Sequence, residues 1–496
     1  MADSSTARSA MSSFMAELER LAIPLSRDAA SLQAASIDFG RVARGDSLGV
    51  ISPRTPEQVQ ATIGLARKHG VRLTPRTHGN SQSGQSLALG GFTLDLSQRS
   101  SVGEPDPERS TIDCEAGASW RSVMNACLER ALIPKMMPMN LDLSVGGTLS
   151  AGGVGASCHR HGNCAAAVQS VVFLTGAGDV VHCSREQNAE LFALALGGQG
   201  RCGILLSVTL ELRRTTGRVE TCYLLYDSVS ECLANLPAAV ARQEVAYAEA
   251  YCSSLFQGLQ LTERGRRPLL RWFGGLQVSR EVDATEGTPV TSSGRVTSSG
   301  PVTSTGSGAG DAWLSGLGWR EIVHRESDSI SGFSARYDLR FEMMRKSGDW
   351  TRPHPWFECF LPPSRAASIV SQVLSTLPPF FGDGHRMFLV KVDERLRYLS
   401  MPVAEAGYAV AFAVLPTAIH EAALPDVLPI LERLDELVER AGGKRYLSGW
   451  VGSPRVEFWR RHFGARYEEW TRAKLRYDPD GVLSSALFAN VDAELY

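Results

Sequence analysis

Two glycine-rich stretches, RTHGNSQSGQS at residues 76–86 and SVGGTLSAGGVGAS at residues 144–157, decide how this chain is interpreted. We predict that each forms a loop whose small residues let backbone N–H groups approach an anionic diphosphate closely without the help of a lysine. Neither stretch matches GxxxxGKS or GxxxxGKT, which disfavours a nucleoside triphosphate as the ligand. Either stretch alone is also compatible with a structural turn. The residues around the two stretches therefore distinguish a diphosphate-binding site from a structural turn.

The residues before the first glycine stretch predict a β-α-β unit. A short strand around Gly49–Ser52 precedes Thr55, a good helix N-cap, and Pro56 follows at the first helical position. The helix should end at His69–Gly70, because glycine adopts the left-handed conformation that closes a helix. VRLTPR, at residues 71–76, should then form the next strand.

Further strands are predicted up to about Arg213. FTLDL and TIDCE alternate like strands, VVFLTGAGDVVHC is typical of a β-hairpin, and a helix is expected near Asn188–Leu196, followed by a strand in ILLSVTLEL. Gly198, Gly200 and Gly203 satisfy GxGxxG, but the predicted helix precedes them and the strand follows. A Rossmann site has the opposite order, so these glycines are expected to form a tight helix-to-strand turn.

Length and composition indicate a globular protein of two or three domains. The 496 residues exceed what one hydrophobic core supports, and a net charge of −2 with 21% charged residues argues against nucleic-acid partners. The N-terminus lacks the pattern of a signal peptide, and no apolar run approaches the ~20 residues of a membrane span. The ten cysteines contain no CxxC pair and are expected to be reduced thiols. We therefore expect a cytoplasmic protein that does not bind membranes.

A low-complexity insert, TPVTSSGRVTSSGPVTSTGSGAG at residues 288–310, interrupts the mixed strands and helices of residues 214–440. Its Ser, Thr and Gly repeats cannot bury enough apolar surface to become ordered. We expect a flexible surface loop or linker here, in preference to a functional lid.

Together with their flanks, the two glycine stretches resemble the cytokinin-dehydrogenase branch of the PCMH/VAO flavoprotein family. The resemblance runs through SPRTPEQVQATIGLARKHG, SVGGTLSAGGVGASCHRHGNCAAAVQSV, WTRPHPWFECFLPP and KRYLSGW, and covers residues 45–490 apart from the insert. It implies an α+β fold in which FAD lies between two α+β subdomains and a separate α+β domain binds the substrate. The implied organisation is an N-terminal helical segment at 1–44, a PCMH-type FAD-binding domain at 45–213, a substrate-binding domain at 214–440, and a C-terminal segment at 441–496 that returns to the FAD domain.

The resemblance also implies which residues contact FAD. Many of them carry small hydroxyl or amide groups, which suit a charged diphosphate, and the others leave apolar contacts for the rings. The implied set is Thr77, His78, Gly79, Asn80, Ser81, Gln85, Ser144, Gly147, Thr148, Ser150, Val154, Leu205 and Tyr446.

One position in the first stretch departs from the family's pattern. The family's loop reads RGxGHS, and its histidine is covalently linked to the flavin methyl group. That position is Asn80 here, and an amide cannot form this bond. His78 lies two positions earlier, where its ring would point elsewhere, and MMPMNLDL lacks the cysteine of bicovalent relatives. We therefore expect FAD to be bound noncovalently.

A second departure concerns the aspartate that accepts the substrate's proton in cytokinin dehydrogenases. The corresponding position, six residues before Val145, is Met139, and a thioether is not a base. Asp142 lies only three residues away, although alternation along an extended segment would turn it in a different direction. Cytokinin itself is therefore not expected to be the substrate.

The remaining chemistry predicts an FAD-dependent oxidoreductase. Such an enzyme would oxidise a C–N or C–O bond of a small organic metabolite, or desaturate it, by hydride transfer to the flavin, with O2 or another compound as the electron acceptor. The alternatives are a flavin-binding protein that has lost catalysis and a non-redox isomerase or cyclase.

The candidate proton acceptors are Tyr251 and Tyr337, because a neighbouring charge can lower the pKa of a tyrosine, together with Asp142. Glu249, Asp338 and His354 are further candidates, and each of these residues has an alternative interpretation as a surface or packing residue. For His354, in PHPW, the structural interpretation is favoured. His159 and His161 form an HxH pattern without a third ligand at a recognisable spacing, so no metal site is expected.

Overall fold

The computed structural model describes residues 4–262, 265–283, 309–378, 381–382, 384–396, 405–452 and 454–496. The insert at residues 288–310, which we expected to be flexible, lies outside these ranges except for its last two residues. The described residues form mixed helices and sheets, which confirms the predicted α+β class. Within them, no helix has the length and apolar character needed to cross a membrane.

The helices are α1 Ser4–Arg20, α2 Ala29–Ala35, α3 Pro56–His69, α4 Trp120–Leu128, α5 Val145–Ala151, α6 Cys158–His161, α7 Ala189–Ala195, α8 Val229–Val240, α9 Ile330–Ser334, α10 Asp338–Lys346, α11 Pro363–Thr376, α12 Leu424–Arg440, α13 Val456–Phe463, α14 Tyr467–Tyr477 and α15 Ala489–Asp492. The strands are β1 Leu25–Ser26, β2 Val50–Ile51, β3 Leu73–Arg76, β4 Phe92–Asp95, β5 Thr111–Glu115, β6 Leu132–Pro134, β7 Val168–Thr175, β8 Val180–Ser184, β9 Gly203–Arg214, β10 Gly217–Tyr226, β11 Tyr247–Thr262, β12 Gly265–Asp283, β13 Glu321–Ser329, β14 Phe357–Leu361, β15 His385–Lys391, β16 Tyr408–Val414 and β17 Lys444–Arg445.

The predicted β-α-β unit is confirmed and forms a four-stranded sheet in the order β1-β2-β4-β3. The Thr55 side chain accepts a hydrogen bond from the Gln58 N–H at the start of α3, and Gly70 closes the helix with a φ of 64°. Residues near the C-terminus continue this sheet, because the Leu73 N–H donates to the Val482 carbonyl oxygen at 2.7 Å.

The second sheet has the order β5-β9-β7-β8, and β6 also pairs with β9. The predicted hairpin is the antiparallel pair of β7 and β8. α7 precedes the GxGxxG glycines and β9 begins at Gly203, so the predicted helix-to-strand turn is also confirmed.

The second glycine stretch is only partly the loop that its composition suggested. Its first half forms α5, whose N-cap Ser144 accepts a hydrogen bond from the Gly147 N–H. The N-cap and close packing offset the helix cost of two glycines, because a Cβ on Gly146 would lie 2.6 Å from the Ala116 Cβ. The prediction of a loop over the whole stretch is therefore wrong.

The third sheet is eight-stranded, with the order β13-β10-β12-β11-β15-β16-β14-β17. One of its faces packs on α8, α11 and α12 through side chains such as Leu389 and Val410. The opposite face contributes Phe360, Phe388 and Ala411 to the core that contains the second sheet. The large sheet therefore covers the part of the chain that carries the glycine stretches.

Candidate active site

A cavity of about 330 Å³ lies between the glycine stretches and the eight-stranded sheet. We name its two parts by their lining. The glycine end is lined by residues from the segments 76–86, 144–154 and 446–448, and the aromatic end is lined by Phe39, Tyr337, Arg340, Phe341, Trp350, Trp356, Arg386 and Phe388. All thirteen residues expected to contact FAD line this cavity: Thr77, His78, Gly79, Asn80, Ser81, Gln85, Ser144, Gly147, Thr148, Ser150, Val154, Leu205 and Tyr446.

The lining of the glycine end fits a dinucleotide. The Thr77 and Ser144 hydroxyl oxygens lie 2.6 Å apart. A Cβ on Gly147 would lie 2.8 Å from the Ser144 hydroxyl, so a larger residue there would crowd the hydroxyl pair. Gly153 has a φ of +74°, and its N–H donates to the Tyr446 hydroxyl at 2.7 Å. Small residues, hydroxyl groups and a closing aromatic ring are what a diphosphate joined to ring systems requires.

Buried Asp38 holds the first glycine stretch in place. Its Oδ2 accepts hydrogen bonds from the Gly84 N–H at 2.9 Å and from the Ser81 hydroxyl at 3.2 Å. Burial raises the pKa of Asp38 to about 6, although these hydrogen bonds oppose the shift. Sequence reasoning missed this residue, and the available signal was an acidic residue between the apolar neighbours Ile37 and Phe39.

Asn80, at the position of the family's covalently linked histidine, and His78, two positions earlier, both line the glycine end. The His78 Nδ1 lies 2.8 Å from the carbonyl oxygen of Asp142, so this nitrogen carries the proton and donates it. Asn80 occupies the place of the family's histidine, and its amide leaves that place without a group able to bond to the flavin methyl carbon.

His354 makes contacts that suit a structural role. Its ring stacks on Phe39 with centroids 4.6 Å apart, and its backbone N–H donates to the Gly40 carbonyl oxygen at 2.8 Å. Burial lowers the pKa of His354 to about 4, so the ring is neutral at physiological pH. The structural interpretation of PHPW accounts for these contacts.

The carboxylate of Glu249 lies behind the aromatic end and has three partners. It accepts a short hydrogen bond from the Tyr337 hydroxyl, and it pairs with Arg386 Nε at 2.6 Å and with Arg336 Nη2 at 3.2 Å. The Glu249 side chain is 2% exposed. Tyr337 and Arg386 line the cavity, so they connect this buried carboxylate with the space open to a ligand.

The expectation of a tyrosine with a lowered pKa is corrected by these contacts. Burial, followed by the negative charge of Glu249, raises the pKa of Tyr337 to about 12. Burial also raises the pKa of Tyr251, which does not line the cavity and instead packs under the Arg386 guanidinium at 5.4 Å. Both phenols are therefore protonated at neutral pH.

The structure places Asp142 outside the cavity lining. Its side chain is 49% exposed and pairs with Arg121 Nε at 2.8 Å, while the same guanidinium pairs with Asp338 at 2.9 Å. Met139, at the position of the family's aspartate, does line the cavity. The ligand therefore meets a thioether where the family has a base.

The HxH histidines show no metal-binding arrangement. The buried His159 ring contacts the Val245 carbonyl oxygen at 3.2 Å, and burial lowers the pKa of His159 and of His161 to about 4. Among the residues that the structure describes, no group of three His, Cys, Asp or Glu side chains could hold a metal ion.

Comparison with known proteins agrees with the lining of the cavity. Residues 47–184 match the family model of an FAD binding domain, and residues 314–487 match the model described as "Cytokinin dehydrogenase 1, FAD and cytokinin binding". The chain is an FAD-dependent oxidoreductase. Its matches to the two family models confirm the predicted resemblance to cytokinin dehydrogenases, and the predicted fold class, cofactor and enzyme class are confirmed as well.

Similar proteins come from a plant and a bacterium. Cytokinin dehydrogenase 10 of Oryza sativa subsp. japonica is 27% identical over 481 residues, which cover 91% of this chain and 85% of the relative. Cytokinin dehydrogenase 5 of the same plant is 28% identical over 502 residues, with 93% and 90% covered. An uncharacterized oxidoreductase, ORF5 in the fasciation locus of Rhodococcoides fascians, is 28% identical over 459 residues, with 92% and 97% covered.

Proposed function

We propose that this chain oxidises a C–N or C–O bond of a small organic metabolite, with FAD at the glycine end and the substrate at the aromatic end. The observation that carries this assignment is the hydrogen-bonded pair of Tyr337 and Glu249, which leads from the cavity to a buried carboxylate. The names of the plant relatives support a C–N bond as the target. Met139 in place of the aspartate argues against cytokinin itself.

When bound, FAD supplies an acceptor for the hydride of the substrate's C–H bond. As the hydride leaves, the adjacent N–H or O–H becomes acidic, and the Tyr337 oxygen accepts its proton while the phenolic proton moves to Glu249. Because the pKa of Tyr337 is raised to about 12, the phenol begins the step protonated and acts as a relay. Arg336 and Arg386 hold the receiving carboxylate in position. O2 or another small acceptor serves as the second substrate.

The FAD contacts and domain boundaries belong to the same proposal. We assign the thirteen lining residues named above to FAD, residues 45–213 with 441–496 to the FAD-binding unit, and residues 214–440 to the substrate unit. The sheet contact between Leu73 and Val482 supports the return of the C-terminal segment to the FAD-binding unit.

The noncovalent attachment of FAD is tested by acid precipitation of the purified protein. Yellow colour should leave with the supernatant in the wild type and in His78→Ala. Asn80→His restores the family's histidine and should retain part of the colour in the pellet. Colour in the wild-type pellet would contradict the noncovalent proposal, and its loss from that pellet in His78→Ala would identify His78 as the attachment site.

The redox assignment is tested by mixing the flavin-loaded protein anaerobically with a panel of amines and alcohols. At least one compound should bleach the visible flavin absorbance, and in air the consumption of O2 or of a dye should equal product formation. Product formed without acceptor consumption would instead indicate an isomerase or cyclase. A protein that binds no flavin would overturn the proposal.

The cytoplasmic location also stays a proposal. All ten cysteines lie among the described residues and are buried thiols outside disulfides, which is in keeping with a reducing compartment. Fractionation of the source cells, followed by immunodetection, tests the location, and recovery of the protein outside the cytoplasmic fraction would contradict it.

A further inference from the structure

The aromatic end carries more positive charge than its own carboxylate neutralises. Glu249 is already paired with two guanidinium groups, those of Arg336 and Arg386, at 3.2 Å and 2.6 Å. Arg340, one turn along the chain from Arg336, is a third guanidinium and lines the cavity itself. Arg340 Nη2 donates a hydrogen bond to the Leu415 carbonyl oxygen at 2.9 Å. Among the described residues, no carboxylate lies within 4 Å of the Arg340 guanidinium.

Arg340 is charged at neutral pH. Burial, and then the positive charge of Arg386, lowers the pKa of Arg340 to about 10, which still leaves the guanidinium protonated. The charge of Glu249 offsets part of the cost of burying this cation, but Glu249 already pairs with Arg336 and Arg386, and the charge of Arg386 adds to the cost. An anion bound in the cavity would offset both contributions.

The other ionisable groups of the cavity do not supply that anion. Glu358 is the one carboxylate among the lining residues that the structure describes, and burial raises its pKa to about 7. Glu358 accepts a hydrogen bond from Ser448, which belongs to the glycine end. Arg76, the remaining lining arginine, donates to the carbonyl oxygens of Ala34 and Ile37 at 3.1 Å and 2.9 Å.

The surroundings of Arg340 favour a carboxylate attached to an apolar body. Its guanidinium is held by the Leu415 carbonyl, so the remaining N–H groups are oriented before a ligand arrives, and a planar guanidinium matches the two oxygens of a carboxylate. Phe341, Trp350 and Phe388 line the same cavity and offer apolar contact area.

We propose that the substrate is an organic carboxylate, with its carboxylate group bound by Arg340 and its apolar body packed against the rings of the aromatic end. This inference rests on the proposed function, because it names the class of substrate for the same cavity. The oxidised C–N or C–O bond then belongs to the body of an organic acid, within reach of the Tyr337 hydroxyl.

The test is isothermal titration of the purified full-length protein with benzoate, phenylacetate and 3-phenylpropionate, each compared with its uncharged amide. At least one acid should bind at least about tenfold more tightly than its amide, because hydrogen bonds to a charged group are being compared with those to a neutral one. Arg340→Gln should weaken binding of that acid about 10- to 100-fold and remove the preference over the amide.

Two further variants separate charge from fold. Arg340→Lys retains the charge and loses the planar fork, so it should bind the acid with intermediate affinity. Lys346→Gln removes the same charge from the same helix at a side chain that is 79% exposed, and it should bind like the wild type. If Arg340→Gln does not fold, the inference is tested by the affinities of acid and amide for the wild type and by the affinity of the acid for Arg340→Lys.

Two results would overturn the inference: no acid binds more tightly than its amide in the wild type, or folded Arg340→Gln keeps the preference. The visible spectrum of the same sample separates these from failure of the proposed function. Acid binding by a protein that cannot hold flavin would overturn the proposed function and leave the carboxylate site standing. Flavin bleaching by an amine or alcohol, without any preference for acids, would overturn the carboxylate site alone.

Discussion

The two ends of the cavity are built in different ways. The glycine end is built mainly from two contiguous stretches, whose hydroxyl groups, backbone N–H groups and small residues form most of its lining, and residues 446–448 complete it. The aromatic end brings together Tyr337 and Arg340 from the start of α10, Arg386 from β15 and, behind them, Glu249 from β11. Cofactor binding can thus be built largely from local backbone geometry, whereas substrate chemistry depends on long-range packing of charged side chains.

The largest expected effect is at the aromatic end. Tyr337→Phe removes the hydroxyl that relays the proton to Glu249, and it should lower the rate of anaerobic flavin reduction about 10²- to 10⁴-fold. Stopped-flow measurement of flavin bleaching checks this rate. Tyr251→Phe is the matched control, because this ring does not line the cavity, and it should react at close to the wild-type rate. Equal rates for the two variants would contradict the relay.

The next effect tests how the glycine end is held. Asp38→Ala leaves the Gly84 N–H and the Ser81 hydroxyl without their buried acceptor. The free energy of unfolding should fall by about 2–3 kcal/mol, and FAD should be released more easily. Urea unfolding and the retention of FAD on a desalting column measure the two effects. Asp38→Asn keeps one acceptor oxygen, so its stability and FAD retention should lie between those of the wild type and Asp38→Ala. Unchanged FAD retention in Asp38→Ala would argue against this anchoring role.

A smaller, pH-dependent effect links the two ends through Glu358. Because burial raises its pKa to about 7, this carboxyl is neutral below that pH and negative above it. Binding of an organic acid in the cavity should therefore weaken a few-fold as the pH rises through about 7, since like charges repel. In Glu358→Gln this dependence should disappear, while amide binding should not change with pH in either protein. A pH dependence that persists in Glu358→Gln would assign it to another group.

The smallest effect is expected at Asp142. Its half-exposed ion pair with Arg121 should contribute less than about 1 kcal/mol to stability, so Asp142→Asn should lower the free energy of unfolding only slightly. The rate of flavin reduction should stay at the wild-type value. A large loss of rate in a stable Asp142→Asn protein would return this residue to the candidate bases.

Local signals in the sequence were sufficient for much of the FAD-binding half. Thr55 and Gly70 cap the two ends of the predicted helix, and Gly203 starts the strand after the predicted turn. These features could be predicted because caps and turns are made by neighbouring residues. The helix after Ser144 was missed, since its packing against Ala116 outweighs a glycine-rich composition. Asp38 was also missed, because its two partners in the first glycine stretch, Gly84 and Ser81, lie more than 40 residues further along the chain.

The class of protein, the cofactor and the residues of the glycine end could be predicted from the chain alone, because each of these depends on short contiguous motifs. Which charged groups meet at the aromatic end depends on long-range packing. The pairing of β11 with β15 places Arg386 opposite Tyr251 and beside Glu249, and no local spacing encodes that register. Burial then set the protonation of Tyr337 and left Arg340 as a cation facing the cavity, because desolvation depends on everything packed around a side chain.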